Sequence, residues 1–159
     1  MHVRPLTRRN RQDVVYQRME TVEERIRSAL CLKPSAMIKE ARVRDYTAPN
    51  YLREECLVYL IREYKIRGER RIVEDLTEIL LRRCSRSIND GLRNLSSEGG
   101  DQSQTVEHAF RDVVEELFDR ILDLESDRGD FLQVRFWPVV EKLRIGAFNS
   151  YLEALNQAK

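Results

Sequence analysis

Residues 59–88 read YLIREYKIRGERRIVEDLTEILLRRCSRSI. The reading of this stretch decides the fold class. Upstream of Gly68, Leu52, Cys56, Leu57, Leu60, Ile61 and Tyr64 form a broad apolar stripe at helical spacing. Downstream, Ile72, Leu76, Ile79, Leu80, Cys84 and Ile88 repeat with the same period. The spacing predicts two helices, over 50–67 and 70–92, with Gly68 ending the first. Strands would need strict alternation, and this stretch has none.

The pattern extends both ways along the 159 residues. Val15, Met19, Val22, Ile26 and Leu30 predict a helix over 10–30, stopped by Lys33-Pro34. SAMIKEARV, residues 35–43, suggests a short helix capped by Ser35. Thr47 reads as the cap of the 50–67 helix, with Pro49 in its first turn. NLSSEGGDQSQ, residues 94–104, is the evident flexible loop. Thr105 then caps a helix over 106–124, and ESDRGD turns into a last helix over 131–156. The expected product is an all-α, compact bundle of about five helices. Residues 1–45 form an N-terminal helical extension, and 46–159 a helical domain with the flexible loop at 94–104.

Six Gly and four Pro are few for a chain this long, and charged residues make up 35% of it. The formal net charge of +1 does not mark a nucleic-acid binder. The charge is unevenly spread, however. Residues 1–18 hold five Arg against one Asp, whereas 105–130 hold nine acids against three Arg. Such asymmetry points to two different surfaces.

Function classes fall away quickly. There is no GxSxG, Gly-rich phosphate loop, HExxH or supported Cys/His pair. No CxxC occurs, and His2 and His108 lie far apart, so no metal or other cofactor is expected. Cys31, Cys56 and Cys84 read as buried thiols of a reducing, cytoplasmic compartment. No run of about 18 apolar residues suggests a membrane span. The chain is read as non-enzymatic, with no catalytic residue.

Two helices carry the candidate surfaces. Asp112, Glu115, Glu116 and Asp119 share one side of the 106–124 helix, with Arg120 interrupting the acids. A solvated face and a docking surface for a basic partner both fit this pattern. In the last helix Leu132, Phe136, Val139, Val140, Leu143, Ala147 and Tyr151 form the core face. Trp137 lies about 100° away with Arg144, Phe148 and Leu155, on the core's margin. A Trp there is either partly buried packing or an aromatic exposed for stacking, with Arg135, Lys142 and Arg144 at hand for phosphates. Pro138 fits only if this helix starts near Phe136 or bends there. The arginines of RPLTRRNR, residues 4–11, read as a mobile solvated terminus or as a phosphate-contacting arm. Arg82, Arg83 and Arg86 form a basic collar near the C-terminal end of the 70–92 helix; with Arg93 they read as pairing with neighbouring acids or solubilising the helix, or as touching phosphate.

The order of these features resembles the core-polymerase-binding domain of bacterial sigma factors. In that family two amphipathic helices precede a variable loop, an acidic helix of the type AEDLVQEVFLRLL, a turn, and a helix beginning F-x-x-W-L. Residues 59–88, the segment TVEHAFRDVVEELFDRILDL at 105–124, and GDFLQVRFWPVVEKLRIGAFNSYL at 129–152 are similar in that order. The resemblance covers residues 52–152. It implies that Asp112, Glu115, Glu116, Asp119 and Arg120 dock on the RNA polymerase core. It implies further that Arg135, Trp137, Lys142 and Arg144 contact promoter DNA. Pro138 replaces the family's usual Leu, and Arg144 stands where its Asn is usual. The family's helix-turn-helix domain does not follow, so the resemblance implies a fragment or a domain without promoter reading. A helical adaptor or homo-oligomerisation module is the alternative, from the clean seam on residues 15–30.

Overall fold

The computed structural model describes residues 2–96 and 103–158. Among these residues there are six α-helices: α1 (Glu20–Leu30), α2 (Pro34–Ala41), α3 (Glu54–Ile66), α4 (Arg70–Ser96), α5 (Ser103–Leu122) and α6 (Phe136–Gln157). A short 3-10 turn, Phe131–Gln133, precedes α6. Among the described residues there is no strand, only an isolated antiparallel bridge between Arg9 and Val15. The all-helical class therefore stands, with six helices rather than about five. The stretch after Pro34 is a full helix in its own right.

Two compact units divide the chain. The first comprises Met1–Leu80 and Arg120–Phe136; the second comprises Leu81–Asp119 and Trp137–Lys159. In the first, α1 and the 3-10 turn both pack on α3. Residues 54–61, 63 and 64 of α3 are all buried, so this helix is the unit's central rod. Its apolar run CLVYLI, residues 56–61, signals such burial, because a surface helix would break the run with polar residues. Ile26, Met37, Leu52, Leu57, Leu60, Ile61, Leu76, Leu80 and Phe136 are fully buried in this unit. Each contributes on the order of 1.5–3 kcal/mol of transfer free energy. The second unit buries Cys84, Ile88, Leu92, Ala109, Val113, Leu117, Val140 and Phe148.

Gly68 ends α3 as expected. It sits at φ +74°, with Glu69 N–H donating to Tyr64 C=O and Gly68 N–H to Lys65 C=O, both at 3.0 Å. This pair of bonds is a Schellman cap, and the left-handed residue it needs is most cheaply glycine.

Several helix starts differ from the sequence reading. Residues 10–19 are not helical, and α1 begins only at Glu20. The Asn10 side chain accepts the N–H groups of Gln12 and Val14, and Asp13 adopts φ 63°. Those local bonds compete with the helix and win. Lys33, not Ser35, is the N-cap of α2, and Pro34 occupies its first turn. Thr47 caps nothing: the Asp45 carboxylate accepts both its N–H and its hydroxyl, and α3 waits for Arg53 as N-cap. Thr105 likewise lies inside α5, which starts at Ser103. The loop expected over 94–104 falls mostly on 97–102, outside the described residues; 94–96 and 103–104 are helical. The last helix is split, with Val134 and Arg135 between the 3-10 turn and α6. α6 starts at Phe136, so Pro138 stands in its first turn, where a missing N–H costs no hydrogen bond.

Candidate functional site

α5 presents the acidic face. Asp112, Glu115 and Asp119 are exposed, while Glu116 is half-buried. These four lie in the second unit; Arg120, also half-buried, belongs to the first. At ~100° per residue the four acids span an arc of ~100°. Asp112 also has a local role. It is hydrogen-bonded to the Tyr151 phenol and holds that group above its usual pKa range. The His108 ring meets Tyr151 at a centroid distance of 5.6 Å. The pair ties the far part of α6 to α5 within the second unit.

The α6 candidates separate. Phe136 is fully buried and Trp137 is 37% exposed, in the helix's first turn. Arg144 lies only ~20° round the helix from Trp137, whereas Lys142 lies ~140° round. Lys142 is exposed, and so is Arg135, which precedes the helix in the first unit. Arg144 is half-buried: its Nη1 donates to the Ser87 carbonyl of α4 at 3.0 Å. A Cβ on Gly91 would meet the Arg144 guanidinium at 2.5 Å, so the absent side chain leaves the lane this arginine occupies. Phe148, expected at the margin, is buried at 4% exposure. Because α4 runs on to Ser96, Arg82, Arg83 and Arg86 stand well inside it, and only Arg93 lies in its last turn. Arg86 there pairs loosely with Asp90, at 3.8 Å.

The first unit holds a site that the sequence reading missed. Residues 2–8 run without helix along the unit, with Val3 and Leu6 buried. Their backbone is gripped by side chains. Tyr59 Oη accepts Arg4 N–H at 3.0 Å. Asp130 Oδ2 accepts Thr7 N–H at 2.7 Å and Arg8 N–H at 2.9 Å. Arg4 Nε in turn donates to Glu63 at 2.7 Å. The start of the expected mobile or phosphate-contacting stretch, from Arg4 to the backbone of Arg8, is thus held against the unit, whereas Arg9 and Arg11 further along it are exposed.

Arg18 is the keystone of this arrangement. It donates to Gln133 at 2.8 Å, to Glu23 at 2.7 Å and to the Arg4 carbonyl at 2.8 Å. Its guanidinium also lies 4.9 Å from the centre of the Tyr59 ring. Nearby, Arg62 Nη1 donates to the carbonyls of Ile121 and Asp123, both at 2.9 Å, closing the C-terminal end of α5. Burial pushes the Arg62 pKa down, with Asp130 and Asp123 opposing the shift. A cleft of about 560 Å³ opens between the leading segment, α3 and residues 124–133.

The signal for this site was present but faint. Glu63 is an acid between the apolar run CLVYLI and Tyr64, on the buried side of α3. Asp130 hides within a turn-like ESDRGD, where an acid is unremarked. Among the described residues, no group of three His, Cys, Asp or Glu converges as a metal ion would require, and no helix is long and apolar enough to cross a membrane. No family model, curated protein or solved structure matches the chain.

Proposed function

We propose that this chain is a non-enzymatic docking module of the sigma-factor kind, whose acidic α5 face engages RNA polymerase. The observation that supports the reading most directly is the exposure of Asp112, Glu115 and Asp119 along one helix. A carboxylate row of this kind steers a basic partner and sets its register. Promoter DNA contact is the secondary part of the proposal. It draws on Trp137, exposed in the first turn of α6 with Arg144 on nearly the same face, and adds Arg135 and Lys142 as phosphate contacts.

Retention of purified RNA polymerase on the immobilised protein tests the docking. The double variant Glu115→Lys/Asp119→Lys should lose most retention, roughly 10-fold or more, as expected for reversed charges in an interface. Its circular dichroism should match wild type. Equal retention by a folded double variant would sink the proposal.

The alternative reading, a helical adaptor or homo-oligomer, now draws on a different helix. Val22 and Ile26, in the 15–30 seam, are fully buried within the first unit. Ile145 and Leu155 of α6 are instead 43% and 48% exposed. Light scattering of an Ile145→Glu/Leu155→Glu variant separates the two readings. A wild-type dimer that this variant converts to monomer favours the adaptor.

A further inference from the structure

The grip on residues 3–8 has the form of peptide recognition, and it stands independently of the polymerase reading. Three features carry this. From Arg4 to Thr7 the main chain is held by side chains, and a backbone bond enters only at Arg8, whose C=O accepts Tyr16 N–H: Tyr59 and Arg18 take the N–H and C=O of Arg4, and one Asp130 oxygen takes the successive N–H groups of Thr7 and Arg8. These contacts read backbone and ignore sequence, as strand-like peptide capture does. Selectivity enters through three side chains, with Val3 and Leu6 buried and the Arg4 guanidinium paired with the buried Glu63. Finally, a cleft lies beside this segment, and Ile66 on its wall is 47% exposed.

We propose that this groove is a peptide-binding groove, occupied in cis by the chain's own Val3–Thr7 segment. It takes in trans a non-helical peptide of the same chemistry: apolar, Arg, any residue, apolar, Thr or Ser. Pro5 favours the open backbone, because the residue before a proline avoids the helical region. The cis segment works as a tethered competitor. A short tether gives an effective concentration of about millimolar, so a peptide of micromolar intrinsic Kd binds the intact chain roughly 10³-fold more weakly.

The test keeps the whole chain. A site-specific protease sequence is inserted at the exposed Arg11–Asp13 turn, where insertions are best tolerated. After cleavage, a fluorescent peptide spanning residues 2–9 is added and its anisotropy followed. The proposal expects the peptide to exchange into the cut protein at least 100-fold more tightly than into the uncut one. A T7P peptide, lacking one N–H for Asp130, should lose binding at least 10-fold. So should wild-type peptide on cut Asp130→Asn or Glu63→Gln protein. A merely structural segment would give neither exchange nor sensitivity to T7P. The proposal is overturned by equal binding to cut and uncut protein, by no binding to either, or by loss of helical circular dichroism when the cut segment leaves. An uncut protein that elutes as a dimer, dissolved by free peptide, would assign the groove to a second copy's segment and overturn the foreign-peptide assignment.

Discussion

Arg18 and Glu55 are buried charges with opposite fortunes. Arg18 has three hydrogen-bonded acceptors and an aromatic face. Arg18→Met would leave Gln133, Glu23 and the Arg4 carbonyl without their donor, and should cost about 3 kcal/mol in urea denaturation, as breaking a buried pair does. Glu55 is 4% exposed, and its Oε2 has no hydrogen-bond partner. Burial pushes its carboxyl above the usual range, against the pull of its own N–H, of Arg53 and of the Phe136 N–H. The sign follows: the folded state holds this proton more tightly than the unfolded chain. Its contribution is complete below the unfolded pKa and is lost as pH rises through the folded one. Glu55→Gln should therefore flatten the decline in melting temperature between pH 4 and 8, and be the more stable protein at pH 8. A parallel decline in both proteins would refute this. The sequence shows neither outcome, because Arg18 and Glu55 look like ordinary surface charges until the fold encloses them.

Glycine marks two helices at the scale of elements. Gly68→Ala has open space for its methyl but keeps φ at +74°, so it should destabilise by about 1 kcal/mol. Gly91 is the opposite case, with helical backbone but a side chain in the way. Replacing it by Ala would gain about 1 kcal/mol of helix propensity, yet displace Arg144 from the Ser87 carbonyl. A double-mutant cycle resolves the two effects. Gly91→Ala should be nearly neutral in wild type and stabilising by about 1 kcal/mol in an Arg144→Ala background. Equal effects in both backgrounds would remove Arg144 from the account. Period alone makes α3, α4 and α5 legible, and Pro138 correctly limits where α6 can start. Their first residues are less legible. Thr47 and Thr105 are good caps by type, but Thr47 is held by Asp45, and α5 has already begun two residues before Thr105.

Across the whole molecule the three cysteines report on burial. Cys31 is exposed, while Cys56 and Cys84 are buried. Burial pushes the Cys56 thiol up to about 12, and its Sγ donates to the Val22 carbonyl at 3.7 Å. A thiol reagent at pH 8 should label one cysteine quickly and the other two only on unfolding. Fast labelling of all three would contradict the burial described. The sequence reading treated all three as buried, and Cys31 departs from it because it stands at the C-cap of α1, past the buried face.

The sequence by itself determined the helical class, the apolar stripe of α3 and the acidic stripe of α5. Each is a periodic property of one segment, and a helix's geometry turns spacing into a face without help from the rest of the chain. Tertiary structure alone decided that Arg4 is gripped, that Arg144 reaches the Ser87 carbonyl and that Phe148 faces inward. The Arg4 and Arg144 partners lie 55 to 59 positions away, and the local pattern holds no record of them. The acidic stripe was visible before folding; the groove around Arg4 exists only because Tyr59, Glu63, Arg18 and Asp130 meet there.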